Sequence, residues 1–354
     1  MKQTTVDQNT KVPGSLRAIR QAAIAGALAG QGYALANDMD NLPSGSVALP
    51  NDSLLRTSEP ITELTLFAAS YSGMTGNGLV KLRDFIAPAR PTPSRIFRLT
   101  TWNENEPFET VDYTKVKRGL LAEFMEVRQK TATKADLTGF NRGLSVVLDR
   151  DQLKEKPELQ QDHTKWLIDI LNRASILEAI ALYQASAINA GTTWDSASNP
   201  DLDLRSRILT LADVTGFYPQ NVAYGDRAHL KRANAYESQL TAGSIARAQA
   251  QSEAEIAAAL GVGSVLVNAE RYQNTSAAKQ EIIGQNVLVF TGLKDTGPMD
   301  PSNLVRHTFN GFGGGGEYAV YLNEYGPKKI VITVENYELI HAQHTSGILQ
   351  LAVN

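Results

Sequence analysis

The feature that most constrains this chain is one long run of helical periodicity between Pro157 and Gly191. Leu167, Ile170, Leu171, Ala174, Leu177 and Ala181 form an apolar stripe, with Ile188 close to its continuation. Pro157 suits a helix start and Gly191 a stop. The spacing predicts a helix over Glu158–Ala190, about 50 Å long at 1.5 Å rise per residue, against a mean helix of about 11–12 residues. Such a helix is a beam, and the rest of the chain has to be built around it.

The segment before it reads as extended structure. Ser94–Trp102, Phe108–Tyr113, Leu120–Val127 and Gly143–Asp149 are β-type runs separated by polar turns. Alternation such as Ile96/Arg98 and Val111/Tyr113 suits a ribbon that is wet on at least one face. A ribbon of this kind is marginal alone and needs neighbours. Residues 1–60 close no core of their own: a helix around Ser15–Gly30 carries Leu16, Ile19, Ala23 and Ala27 on one stripe, followed by turn chemistry at Asn41–Ser46 and Pro50–Asp52. This is an arm whose helix wants a partner. The run Ala22–Ala36 resembles a signal peptide, but only Ile24 and Leu28 are large, so it is read as a small-residue helix that packs closely on something.

After the linker Trp194–Pro200, residues 201–325 read as a compact α/β domain. Asn221–Tyr224 is a strand, Asp226 an N-cap and Arg227–Tyr236 a helix. Ser252–Glu255 is a capping box, the helix runs to Leu260 and stops at Gly261, and Ser264–Val267 is a strand. Gln285–Phe290, Tyr318–Leu322, Lys328–Ile340 and Gly347–Val353 are further strands. No internal repeat is present, which removes solenoids and propellers.

The 354 residues are ample for a core and suggest about two domains. With no cysteine, the chain has no disulfide, thiolate nucleophile or cysteine-held metal; five histidines leave little for metal chemistry. The net charge of −3 argues against a strong basic field for nucleic acid, although residues 1–36 carry Lys2, Lys11, Arg17 and Arg20 against Asp7. No window approaches the 18 or so apolar residues of a membrane span.

The chemical motifs fail in context. Gly311–Gly316 fits G-x-G-x-x-G, with Glu335 about 20 residues on, but a strand follows where a dinucleotide fingerprint needs a helix. His341 and His344 make a metal pair only on a helix and have no acidic neighbour. Glu104/Glu106 and Asp201/Asp203 read as solvated turns. No catalytic residue, cofactor site or metal site is assigned.

The order of arm, ribbon, long helix, α/β domain and closing strands resembles the major capsid proteins of tailed bacteriophages, the shell fold named after phage Hong Kong ninety-seven, over essentially the whole chain. Gly143–Asp151 followed by Trp166–Ala190 looks like that family's descent from the E-loop into the spine helix. Pro219–Asp226, Leu260–Tyr272, Gly284–Phe290 and Lys329–Leu339 are similar to its A-domain core and the strands that return to the P-domain. The resemblance implies an α+β capsid fold with an N-arm over 1–60, P-domain segments over 61–93, 151–200 and 326–354, an E-loop over 94–150 and an A-domain over 201–325.

It further implies a structural protein, not an enzyme, that assembles as hexamers and pentamers into an icosahedral head around double-stranded DNA. The partners implied are the chain itself, a portal, and scaffold or decoration proteins, with weak DNA contact, in a virion assembled in bacterial cytoplasm. Inter-subunit contacts are expected at Leu16 and Ile19 in the arm, at Lys115, Lys117, Arg118, Glu123 and Glu126 in the ribbon, and at Gly311, Gly313 and Gly316 in an axial loop. The Lys–Asn cross-link of some members is not matched: Lys134 lies near the ribbon, but no partner is assigned. An encapsulin-type shell holding cargo proteins, and an oligomeric enzyme with a ligand at Gly311–Gly316, stay open as alternatives.

Overall fold

The computed structural model describes residues 60–74, 76–101, 133–239, 243, 252–274, 277–293, 301–310 and 316–354. The chain divides into two compact units, one of Met1–Arg56 with Gln273–Lys279, the other of Thr57–Tyr272 with Gln280–Asn354. Within the first, the described residues make a turn in which Asn274 Oδ1 accepts from the amide of Ala278 at 2.9 Å. The described residues form the following elements.

In chain order these are α1 (Thr62–Ser72), α2 (Gly78–Ile86), β1 (Ala89–Thr92), β2 (Ile96–Thr101), β3 (Thr133–Thr138), β4 (Phe140–Asp149), α3 (Arg150–Glu155) and α4 (Leu159–Ser186). They continue with β5 (Ile188–Thr192), α5 (Pro200–Thr215), β6 (Asn221–Gly225), α6 (Asp226–Glu237), α7 (Glu253–Leu260), β7 (Ser264–Asn268), β8 (Arg271–Gln273), β9 (Lys279–Glu281), β10 (Asn286–Phe290), β11 (Leu304–Phe309), β12 (Tyr318–Tyr325), β13 (Lys329–Ala342) and β14 (Leu349–Val353).

Two five-stranded sheets organise these elements. In the first, the order is β1-β11-β13-β12, and the 14-residue β13 also pairs antiparallel with β4 from Lys329↔Asp149 to Glu338↔Phe140. In the second, the order is β5-β14-β10-β6-β7. Strand β6 is buried at every residue, because its two faces serve two cores. Val222 and Tyr224 face a cluster with Leu204, Ile208 and Leu260 from α5 and α7, while Ala223 faces a cluster with Leu82, Ile176 and Tyr183 from α2 and α4. A third cluster joins the first sheet to α1 and the first half of α4 through Leu64, Leu167, Ile168, Val320 and Ile332.

Helix α4 therefore spans both sheets: Leu167–Leu171 packs on the first, and Ile176–Tyr183 on the second. It has 28 residues, about 42 Å. The expected continuation to Ala190 is corrected, since Ile188–Thr192 leaves the helix and pairs in parallel with Leu349–Val353. The ladder to β14 satisfies backbone groups that a frayed helix end would leave open. The expected stripe is corrected as well. Leu167 and Leu171 are buried, but Ala174 and Ala181 are exposed and Ile170 and Leu177 only half-buried. The buried face runs through Thr164, Ile168, Asn172, Ser175, Ile176, Ala179, Ile180 and Tyr183. Polar Asn172 and Ser175 belong to it because they sit at the seam between the two sheets, where hydrogen-bond partners await them.

Local signals account for the helix ends. Asn77 caps α2 by accepting from Leu79, Asn199 caps α5 with Pro200 in its first turn, and Ser252 and Glu255 form the capping box that opens α7. Gly216 and Gly261 end α5 and α7 at φ 74° and 73°, a region that costs glycine nothing. The cap of α6 is Gly225 and not Asp226, whose carboxylate pairs with Arg271 at 2.7 Å. Strands β11 and β12 join the first sheet and β6, β7 and β10 the second, so the segment 201–325 contributes strands to both sheets.

Candidate functional site

At the seam crossed by the middle of α4 lies a buried charge network of three guanidiniums and four carboxylates. Arg306 on β11 is fully buried; it donates to both oxygens of Glu317 at 2.9 and 3.1 Å, to Asp84 at 3.0 Å and to Glu338 at 3.5 Å. Arg83 on α2 donates to Asn172 at 2.6 Å and lies 3.2 Å from Glu317. Arg142 on β4 reaches Glu338 at 3.3 Å, Ser175 at 3.4 Å, and Glu178 on α4. Tyr318 donates to Asn172 at 2.8 Å. One connected set of side chains thus ties α2, α4, β4, β11, β12 and β13 together.

Burial pushes the Glu317 carboxyl up, but Arg306 and Arg83 outweigh it and hold it at about 2. Burial likewise opposes the charge on Arg306, and Glu317 and Glu338 restore it so that the guanidinium is held more firmly than usual. The charges are mutually compensated, the condition under which buried ions are tolerated. The arrangement positions these elements against one another.

The opposite face of the same sheet carries the ribbon. Strands β2 and β3 pair antiparallel from Ile96↔Thr138 to Thr101↔Thr133. Phe97 and Leu99 are half-buried, whereas Ile96 is 66% exposed and Arg98 forms an exposed pair with Asp136 at 2.7 Å, so the Ile96/Arg98 face of the ribbon is the wet one. Arg95 places its guanidinium 4.1 Å from the Tyr337 ring and 5.6 Å from that of Phe309. Helix α4 shows the solvent a second apolar stripe of Trp166, 52% exposed, with Ile170, Ala174, Leu177 and Ala181.

Of the residues expected at subunit contacts, Leu16, Ile19, Lys115, Lys117, Arg118, Glu123, Glu126, Gly311 and Gly313 lie outside the described residues, as do Glu104 and Glu106. Gly316 is described and buried: a Cβ there would lie 2.5 Å from the Ala69 Cβ, so the glycine lets the backbone pass close to α1 next to Glu317, which meets Arg306. Lys134 is exposed on β3, in register with Thr100. Glu335 accepts from Tyr321 at 2.8 Å and Asn141 at 3.1 Å within the sheet.

The reading of Asp201 and Asp203 as solvated is corrected. Asp201 is 5% exposed and accepts from Arg232 at 2.7 and 3.0 Å, pinning α5 to α6, while Asp203 accepts from Thr192, Trp194 and Arg207. His341 is the last residue but one of β13, with His344 beyond the strand, and burial followed by the His344 charge lowers its affinity for protons. No group of three or more His, Cys, Asp or Glu able to hold a metal occurs among the described residues, and no described helix is long and apolar enough to cross a membrane.

Arg306 and Glu338 were invisible to sequence reading. They stand 32 residues apart, Glu338 in a run that registers only as strand and Arg306 in β11, which the sequence reading did not place.

No protein-family model and no curated protein matches the sequence. Among solved structures, a phage-related protein of Bordetella bronchiseptica RB50 is similar at 13% identity, TM-score 0.59, over 84% of this chain and 97% of that one. A structure from Gordonia phage Cozz is similar at 9% identity, TM-score 0.50, over 99% of this chain and 98% of that one. A putative capsid protein of a prophage of E. coli CFT073 is similar at 9% identity, TM-score 0.48, over 84% of this chain and all of that one. The chain shares the fold of the Bordetella and Cozz proteins, and the expected α+β phage shell-type fold is the fold found.

Proposed function

We propose that this chain is a structural subunit of an icosahedral phage head, self-assembling as hexamers and pentamers around double-stranded DNA. The observation that carries the reading is the fold shared with two phage proteins over 97% and 98% of their lengths. Two features support it. The outward stripe of α4, from Trp166 to Ala181, is an apolar surface wanting cover by another copy, and the β2–β3 ribbon is a two-stranded sheet of its own whose edges pair with no other described strand. The charge network suits a load-bearing part, because it fixes the long helix to both the ribbon stem and the sheet.

On this reading residues 1–60 are an arm, 94–150 a ribbon reaching a neighbour, and 201–325 holds the elements around the local symmetry axes. Contacts are assigned to Leu16, Ile19, Lys115, Lys117, Arg118, Glu123, Glu126, Gly311 and Gly313, with Gly316 anchoring the loop. Portal and scaffold or decoration proteins complete the head, which is a virion component built in the bacterial host. The net charge of −3 keeps contact with packaged DNA weak. The chain acts by assembly and not by catalysis.

The contents of purified particles test this. Nuclease-protected double-stranded DNA in particles made with the phage's packaging proteins is the expected result; a stoichiometric co-purifying protein in place of DNA would move the reading to an encapsulin-type shell.

A further inference from the structure

The face of the first sheet opposite the charge network holds a histidine for which the shell reading has no use. His307, in the middle of β11, is 3% exposed, and neither ring nitrogen has a hydrogen-bond partner among the described residues. The ring of Phe97 from β2 lies on it, with centroids 4.6 Å apart and planes inclined by 41°. Two residues earlier, Arg95 sits over Tyr337 and Phe309, and its carbonyl accepts from the amide of Gly139 at 2.8 Å, closing the root of the ribbon. The ribbon thus stands on its sheet through the side chains of Arg95 and Phe97.

The charged and titratable groups acting on His307 are Arg90, its register partner on β1, and His341 on β13, which is itself influenced by His344. On β11 itself, the neighbouring Arg306 is turned to the other face and engaged with Glu317. No carboxylate is among the groups that act on the ring.

We propose that His307 is the trigger of a proton-operated latch: a proton taken up by its ring detaches Phe97 and frees the root of the β2–β3 ribbon from the sheet. A neutral imidazole can lie under a phenyl ring as one flat surface on another. An imidazolium there has two N–H donors without an acceptor, in a buried place beside a guanidinium. The attraction of the cation for the Phe97 face is smaller than the cost of burying an unpaired charge. Relief comes from water, and the ribbon is the part able to move, since β1, β11 and β13 are joined by backbone ladders and the ribbon is held by side chains.

The direction of proton linkage agrees. Burial first, then the Arg90 and His341 charges, push the imidazole down from 6.5 to about 4. The closed latch is therefore fully favoured above pH 6.5 and loses that advantage as pH falls toward 4, a change of roughly 300-fold in the opening equilibrium. The proposal rests on the geometry of sheet and ribbon and stands apart from the shell reading.

Hydrogen exchange of the full chain between pH 7 and pH 4, corrected for intrinsic rates, tests it at residues 95–101 and 133–139 with β13 as the internal reference. The ribbon root is expected to lose protection by 100-fold or more while β13 keeps its own. His307→Phe and His307→Gln, neutral at every pH, are expected to hold the root closed, and Arg90→Gln to shrink the pH response. A wild-type root that stays protected at pH 4, or a neutral variant with the wild-type pH profile, overturns the proposal. Should both neutral variants misfold, an unchanged profile in Arg90→Gln overturns it as well.

Discussion

Arg306 and His307 are neighbours on β11 and serve opposite faces of one sheet under opposite rules. Arg306 is fully buried with three carboxylates around it, and of these Glu317 stays ionised far into acid. His307 is equally hidden, and among the described residues neither nitrogen has a partner and the charges acting on the ring are those of Arg90 and His341. A buried charge with full compensation locks elements together; a buried base without it is stable only while uncharged. The network face joins α2, α4, β4 and β13 into one rigid frame, and the ribbon face holds its load by ring contacts that a single proton can undo.

The largest expected effect comes from breaking the first face. Arg306→Met removes the cation shared by Glu317, Glu338 and Asp84 and leaves their charges buried together, and urea unfolding is expected to show a loss of about 3–5 kcal/mol. The corresponding removal on the other face, His307→Phe, leaves no stranded charge and is expected to cost far less.

Acid sharpens the contrast. Glu317 is held at about 2 against an ordinary 4.5, so the stability it contributes is present above pH 4.5 and lost as pH falls toward 2. The loss is about 3 kcal/mol over that window, and Glu317→Gln is expected to flatten it in acid unfolding curves. The ribbon face responds at higher pH, between 6.5 and about 4, so the two faces are expected to yield in sequence.

A smaller effect is expected from Gly316→Ala, whose new methyl meets the Ala69 Cβ at 2.5 Å and pushes the backbone beside Glu317 away from α1. Overpacking of this kind costs about 1–3 kcal/mol, and pairing the change with Ala69→Gly should recover most of it in thermal unfolding. The smallest is Arg95→Ala, which removes the cation over Tyr337 and Phe309. It is expected to cost about 0.5–1 kcal/mol and to raise exchange at the ribbon root without moving the stability of the network face.

How much of this was legible depended on whether the signal was local. The capping box at Ser252, the strands at Asn221, Ser264 and Asn286, and the long β13 follow from spacing and turn residues, and they stand where the sequence puts them. The long helix was legible in kind but not in length, because Gly191 resembles a helix stop and is in fact a strand residue beside Ala352. Its buried face was misread, since counting apolar residues excludes Asn172 and Ser175, which are buried by hydrogen bonds to Arg83, Tyr318 and Arg142. The charge network could not be read, because Arg306 finds Asp84 222 residues away and Glu338 in another strand. Helices α1, α2 and α5 went unread too; Asn199-Pro200 was taken as linker when it is the cap and first turn of α5.

The measurement that tests the central claim most directly is the size of the purified full chain by sedimentation velocity, with negative-stain imaging of the fastest species. Closed particles tens of nanometres across, with or without added scaffold protein, are the predicted result. A small oligomer that stays small under assembly conditions and binds a nucleotide or phosphate stoichiometrically would contradict it and give the fold to an enzyme.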